Sequence, residues 1–395
     1  MNLIPGKEVY EPIPDLYYVH QWRKEDFKKI DEFIQEIYTK IQQIDPEFEF
    51  QIEKKSDISY YLCDFISFYD NYHVYQKYKN HEKNFNFLVP KLLYDNYFIL
   101  NNALYIPLMF LEKGPIDRVL TDDKNKIFAN LNPTYNFTFD FDEKKGIYVY
   151  FKSKKIESDI FLKVLFEDDK DKWEEFLNLG LINDFEYSLS YKRKFAKFLG
   201  YHKDSYFDDK NIAEWIDNYL ILDFYKGVFQ DYYGFNDIKS IILKIIEYYK
   251  TGKEIDMADI RNRRVVLIEY LIRPLFDLYT RLLISIIDKK SQNFLPTMNP
   301  NVMLTTGFNK LMHRGNLYDI SLPYPSPLIN KISQDILIIK DGRLPKSWIR
   351  NDDSAFGVVC PISVSAQKTA SNIILTTNTL IDKYGKIYLK INEEN

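Results

Sequence analysis

Between residues 25 and 45 apolar side chains recur every three or four positions, at Phe27, Ile30, Ile34, Ile37, Ile41 and Ile44. That spacing predicts an amphipathic helix packed along one face and ended by Asp45-Pro46. From about residue 85 to 165 the period shortens to two. Phe137, Phe139 and Phe141 share one face of a strand, Asp142-Glu143-Lys144-Lys145-Gly146 makes a turn, and Tyr148 and Tyr150 lie on the returning strand, so a hairpin is expected. Helical spacing returns over residues 165–290, at Trp173–Leu177, Ile212–Ile216 and Ile238–Ile246, and predicts a helical insert. Residues 291–362 are punctuated by Pro296, Pro300, Pro323, Pro325, Pro327, Pro345 and Pro361. Long ordered loops are expected there, and loops of such length commonly carry function. No internal repeat breaks this order, and the expected class is α+β and multidomain.

Length agrees, since 395 residues call for two or three domains rather than one core. No apolar run reaches the roughly 18 residues of a membrane-spanning helix, and Met1-Asn2-Leu3-Ile4-Pro5-Gly6 lacks the charged and then apolar pattern of a standard export signal. A soluble protein with no membrane partner is expected. Two cysteines, Cys63 and Cys360, and five histidines exclude a four-cysteine zinc site, and their spacing does not suit a mixed one. Both thiols are expected to be free in a reducing compartment. The 32 Tyr and 29 Phe, amid abundant Lys, Asn and Ile, reflect an AT-rich coding genome rather than a stacking function. The formal charge of −4 is unevenly spread: residues 261–395 hold 18 Lys or Arg against 11 Asp or Glu, net +7, leaving −11 for residues 1–260. A basic third on an acidic remainder suits a protein with one face on nucleic acid, a chance fluctuation over solvated surface being the alternative.

Four groups of residues are chemical candidates. Asp140-Phe141-Asp142-Glu143 has the look of a carboxylate cluster for a metal, but it falls at a hairpin turn, where Asp and Glu are simply solvated, so no metal is assigned to it. Arg343, Lys346 and Arg350 surround Trp348 in a Pro- and Gly-punctuated stretch after Gly342, a combination suited to following a phosphate backbone. Asn262-Arg263-Arg264 precedes a long apolar run. Two roles are open to it, a hydrogen-bonding hub that seats the following helix or a phosphate contact, and the hub is favoured because paired arginines bind carboxylates and carbonyls of neighbouring segments. Cys360 has no histidine near it in sequence and reads as a small buried residue rather than a nucleophile.

Asp341-Gly342-Arg343, Trp348-Ile349-Arg350, Ala355-Phe356-Gly357-Val358-Val359-Cys360-Pro361-Ile362 and Asp382-Lys383-Tyr384-Gly385-Lys386-Ile387 together resemble the fork region of the β subunit of multisubunit DNA-directed RNA polymerases. Upstream stretches match the same family in the same order. They are Phe87-Leu88-Val89-Pro90, Asn96-Tyr97-Phe98-Ile99-Leu100-Asn101-Asn102, Gly114-Pro115, Tyr135–Asp140, Gly146–Val149, Ile156–Leu165, and Asn262-Arg263-Arg264-Val265 with the apolar run after it. Residues 1–80 and 165–250 are unmatched. There are departures: Leu104-Tyr105 stand where the family has Glu-Arg, and Ser363-Val364-Ser365-Ala366-Gln367 replaces its acidic signature after Cys-Pro-Ile. Ser326-Pro327-Leu328-Ile329-Asn330-Lys331-Ile332 is similar to part of the rifampicin-pocket segment, but the preceding residues are not, which implies weak or no rifampicin binding.

The resemblance implies a divided β subunit, as in giant (jumbo) bacteriophages, of which this chain is the N-terminal part. It implies a protrusion-like domain from residues 1–128 and a return segment at 256–325, a reduced lobe-like domain at 129–255, and a fork-like module at 326–395. Arg343, Lys346, Arg350, Gln367, Lys368 and Asn372 would line the nucleic-acid channel, while Asn262, Arg263, Arg264, Gly357, Cys360 and Pro361 would be structural. The Mg²⁺ of the assembled enzyme would be held by a β′-like chain, so no catalytic or metal-ligating residue is expected here. The implied partners are a C-terminal β-like chain, β′-like chains, template DNA, the RNA transcript and a promoter-specificity factor. The implied place is the cytoplasm of an infected bacterial host or the virion. The alternative is a non-catalytic β-derived binding or virion protein that docks on a polymerase.

Overall fold

A short strand, β1 (Leu16–Tyr18), leads directly into helix α1 (Val19–Ile44). The helix begins well before its aliphatic stripe because Arg23, Asp26 and Lys29 occupy its buried face beside Trp22 and hide the apolar period there. The computed structural model describes residues 16–55, 69–92, 98–100, 103–107, 109–121, 124–142, 146–184, 186–253, 255–256, 259–288, 295–299, 317–319, 336–339, 353–359, 372–376 and 378–390.

Strands β2 (Phe48–Lys55), β3 (Tyr69–Tyr78) and β4 (His81–Pro90) form an antiparallel meander. Tyr38 of α1 stacks on Phe48 and Phe50, with ring centroids 6.2 and 5.4 Å apart, and fixes the helix on this sheet. Strands β5 (Phe98–Leu100) and β6 (Ala103–Pro107) pair next, and β7 (Met109–Lys113) follows.

Five antiparallel strands then come in chain order: β8 (Ile116–Thr121), β9 (Lys124–Asn132), β10 (Tyr135–Asp142), β11 (Gly146–Phe151) and β12 (Lys154–Glu157). The hairpin expected from alternation is β10–β11, with Phe141 opposite Ile147 and Asp142 opposite Gly146. Phe137, Phe139 and Phe141 are buried, and Val149 and Phe151 join them from the return strand, whereas Tyr148 and Tyr150 share the other face with Asp140 and Thr138. Helices α2 (Ser158–Leu165), α3 (Asp171–Asn178), α4 (Leu189–Leu199), α5 (Ile212–Trp215), α6 (Asp223–Tyr233) and α7 (Ile238–Thr251) succeed the sheet. Phe161 of α2 meets Phe137 and Phe139 edge-on at 5.2 and 5.5 Å, and Tyr249 of α7 stacks on Phe141 at 4.1 Å. Each buried aromatic contributes about 1.5–3 kcal/mol, and each such ring pair about 0.5–1.5 kcal/mol beyond that.

The helical reading of residues 165–290 needs one correction. Arg263–Val266 is a strand, β13, paired with β7 from Arg263 opposite Lys113 to Val266 opposite Phe110. Valines at 265 and 266 suit an extended backbone, and β7 offers the hydrogen bonds that a helix would have supplied. The apolar run after it is also two helices, α8 (Ile268–Leu271) and α9 (Arg273–Asp288), because Pro274 has no N–H to continue α8 and is instead tolerated in the first turn of α9.

The remaining described strands are β14 (Leu317–Asp319), β15 (Ile336–Ile339), β16 (Asn372–Ile374), β17 (Thr379–Asp382) and β18 (Ile387–Leu389). None of them forms a sheet apart. β14 joins β6, β15 runs parallel to β7 and carries β16, and β17 pairs with β1 and β18. Residues from 326 onward are thus woven into sheets begun by the first part of the chain. The boundary drawn at 128/129 falls inside β9, which is hydrogen-bonded on both sides, so the sheet starts at Ile116. The fold is mixed α and β. Among the described residues no helix is long and apolar enough to cross a membrane.

Candidate functional site

Strand β13 is buried along its whole length, and it draws together segments far apart in the chain. The Gly114 N–H donates to the Asn262 carbonyl at 2.8 Å, and a Cβ at Gly114 would stand 2.9 Å from that same oxygen. The Val265 N–H donates to the Gly385 carbonyl at 2.7 Å. Gly385 has φ +89°, and a Cβ there would overlap the Val265 carbonyl oxygen, so glycine is demanded both by conformation and by space. The Ile260 N–H donates to the Ser354 hydroxyl at 3.0 Å, beside Gly357, whose φ is +79° and whose Cβ would lie 2.9 Å from the Leu389 side chain. A small apolar core of Trp22, Met109, Leu111, Val265, Val358 and Ile381 fills the space between these segments.

Charged groups clasp the same junction. Arg264 donates to both oxygens of Glu269, the longer bond being 3.2 Å, and its Nε donates to the Tyr384 carbonyl at 3.3 Å. The Tyr225 hydroxyl donates to Glu269 at 2.7 Å. Burial pushes the Glu269 carboxyl up, and Arg264 and the Tyr225 hydroxyl oppose it. Burial is the largest influence on Arg264 and weighs against its charge, but Glu269 together with Tyr225, Tyr232 and Glu112 outweighs it and holds the guanidinium above its ordinary value. Arg263 is buried too. Desolvation lowers it to about 10 against the opposing Asp256 and Asp259, and its carbonyl accepts from the Tyr232 hydroxyl at 2.6 Å.

Asp382 shapes the Tyr384-Gly385 turn by accepting from the N–H groups of Tyr384 and Lys386 at 2.8 and 2.9 Å. Burial, and then the charge of Asp231, push its carboxyl up to about 6. Trp22 donates its indole N–H to the Asp382 carbonyl at 2.7 Å. From α1, Lys29 donates to the Lys383 carbonyl at 2.5 Å, and Asp26 accepts the Ile268 N–H at 2.8 Å at the start of α8. Gly227 lets the Tyr384 ring lie against α6, where any Cβ would overlap it. The arrangement is a clasp that holds one chain geometry.

Of the residues assigned to nucleic acid, Arg343, Lys346, Arg350, Gln367 and Lys368 lie outside the described residues, as do Cys360, Pro361 and the stretch 326–332. Asn372 opens β16 opposite Ile338. Because β15 and β16 are antiparallel, Ile339 and Asn372 mark the same end of the sheet. The basic charge of residues 261–395 is partly used inside the fold: Arg264 faces Glu269, Arg261 faces Asp259 at 2.6 Å and Lys386 faces Asp231 at 3.2 Å. Asp140 faces Lys126 at 2.6 Å across the sheet, so its carboxylate is already neutralised. Among the described residues no group of three or more His, Cys, Asp or Glu side chains is gathered as a metal site.

Sequence reasoning missed Trp22, Asp26 and Lys29. A signal was present, because Trp22, Asp26, Lys29 and Phe33 continue the helical spacing N-terminal to the aliphatic stripe, but charged residues at core positions read as solvent-facing. Glu269 was missed for the same reason. No protein-family model matches the chain, and no curated protein matches it.

Proposed function

We propose that this chain carries the N-terminal region of a β-like subunit of a multisubunit DNA-directed RNA polymerase. One observation carries the reading: Gly114, Asn262–Val265, Ala355–Gly357 and Tyr384-Gly385, stretches read as family-like from sequence, lie at one junction, where backbone contact demands the glycines at 114 and 385 and a positive φ favours the one at 357. Unrelated matches scattered along a chain have no reason to touch. In this reading the chain before the five-stranded sheet and residues 256–325 correspond to a protrusion, the sheet from Ile116 with the helices that follow it as far as residue 255 to a reduced lobe, and the remainder to a fork-like region woven onto them.

Nucleotidyl transfer is in-line attack by the RNA 3′ hydroxyl on the α-phosphate of a nucleoside triphosphate, with Mg²⁺ stabilising the developing charge. In this reading a β′-like chain holds the metal, since the acidic run here does not suit it: Asp140 is committed to Lys126. The contribution of this chain is positioning. The clasp fixes the sheet from which the segments bearing Arg343, Lys346, Arg350, Gln367 and Lys368 depart, and their cations and amide would hold the RNA–DNA hybrid beside the active centre.

The test is co-purification from cells that express this chain with its genomic neighbours, followed by Mg²⁺-dependent RNA synthesis with and without it. Loss of synthesis on omission supports the reading. Promoter-independent synthesis that survives omission overturns it and favours a β-derived docking protein.

A further inference from the structure

Residues 1–260 carry a net charge of −11, yet the fold gathers lysines from two separate segments of that acidic part into one groove. Lys154 and Lys155 come from β12, and Lys194 and Lys197 come from α4, one helical turn apart on its exposed face. The pairing is not incidental. The Lys154 amine donates to the Lys197 carbonyl at 2.7 Å, at the C-terminal end of α4, where cations are favoured, and the Lys155 amine lies 4.5 Å from the centre of the Tyr148 ring. Phe198 lies beneath, so the groove has lysine walls over an apolar floor.

Lysines elsewhere in this fold commonly face carboxylates, as Lys126 faces Asp140 and Lys172 faces Glu175. Within the groove Lys197 has such a partner, Asp204 at 3.1 Å, whereas Lys154, Lys155 and Lys194 form no ion pair with any described residue. Three exposed cations with no carboxylate partner among the described residues, lining one concave strip, make a site for a ligand with regularly spaced anionic groups. Glu157 supplies the one acidic side chain in the lining.

We propose that the groove between β12 and α4 binds a phosphodiester backbone. This goes beyond the channel loops of the proposed subunit, and it rests on that reading only for the identity of the nucleic acid. Three lysine–phosphate contacts release counterions and make binding depend on salt, with a slope of about 2 to 3 in log affinity against log salt.

The experiment uses the full chain and follows fluorescence anisotropy of a labelled oligonucleotide as single strand, duplex and RNA–DNA hybrid over a range of salt. A variant carrying Lys154→Ala, Lys155→Ala and Lys194→Ala is expected to bind at least tenfold more weakly at low salt, with its slope reduced by about 2 to 3. A matched variant with Lys77→Ala, Lys79→Ala and Lys172→Ala, whose lysines face carboxylates, is expected to bind as the parent does. All six side chains are exposed or on exposed strand and helix faces, and circular dichroism checks the fold. The proposal is overturned by an unchanged slope in the groove variant, by no binding of the parent chain, or by polyglutamate displacing the oligonucleotide at equal charge concentration. A chain that binds through the groove yet is dispensable for RNA synthesis overturns the subunit assignment and leaves the groove standing.

Discussion

Gly385→Ala adds one methyl group at the tightest point of the junction. The new Cβ overlaps the Val265 carbonyl oxygen and stands 3.0 Å from the Val265 carbonyl carbon, so the turn has to retreat. Two terms set the size of the effect. Holding alanine at φ +89° costs about 1–2 kcal/mol, and loss of the 2.7 Å bond from the Val265 N–H, with its partners left buried, costs about 1–3 kcal/mol. Together they come to about 2–5 kcal/mol. An unfolding entropy of about 2.1 cal/mol/K per residue over 395 residues converts this to a fall in melting temperature of about 2–6 °C if the chain melts as one unit. Gly180→Ala is the control, because its φ of +67° carries the conformational term while nothing lies within 4 Å of the added methyl. Differential scanning calorimetry compares the two, and hydrogen exchange at the Val265 amide reports the local bond. A Gly385→Ala protein that melts with Gly180→Ala and keeps Val265 protected would refute the claim that close approach requires this glycine.

The buried pair offers a second test. Arg264→Ala strands Glu269 and is expected to destabilise by about 3–5 kcal/mol in urea titrations, whereas Arg264→Met with Glu269→Met recovers most of the loss, since the pair itself contributes little net stability. Phe137→Ala removes a ring packed by Phe151, Phe161 and Phe198 and is expected to cost about 3–5 kcal/mol by the same measurement. The pH dependence has a defined sign. Burial raises the Asp217 carboxyl from 3.8 to about 7 against the opposing Ile238 N–H, so the folded chain binds the proton more tightly than the unfolded one, and this group's contribution declines as pH rises from 4 to 7. Asp217→Asn keeps an acceptor for the Ile238 N–H and is expected to flatten that decline in stability measured across the same window; an unchanged slope would count against the assignment. In an assembled polymerase, Lys346→Ala with Arg350→Ala is expected to shorten the lifetime of stalled elongation complexes as salt is raised, by one to two units of salt slope.

Local pattern carried some of this structure plainly. The alternation at Phe137, Phe139 and Phe141 required a strand with one buried face, and the turn residues that follow allowed only a hairpin, because both constraints lie within a few residues of each other. Likewise the aliphatic stripe of α1 was readable from Phe27 to Ile44. Reading failed where a residue's neighbours come from elsewhere. Arg23, Asp26 and Lys29 read as solvent-facing because the groups that satisfy Asp26 and Lys29, the Ile268 N–H and the Lys383 carbonyl, are more than two hundred positions away in the chain. The lysine groove was invisible for a related reason: net charge sums over a segment, while binding depends on which side chains a sheet edge and a helix bring together.

The sequence by itself therefore determined the aliphatic stripe of α1 and the β10–β11 hairpin, which follow from residue type and spacing between near neighbours, and the uneven charge, which is a sum over residue types. Tertiary structure decided that Arg263–Val266 is a strand, that the last third of the chain completes sheets begun by the first, and that a side chain at Gly114 or Gly385 would collide with backbone from a distant segment. Those outcomes rest on backbone groups from distant segments approaching within hydrogen-bond distance, and a one-dimensional pattern holds no record of that approach.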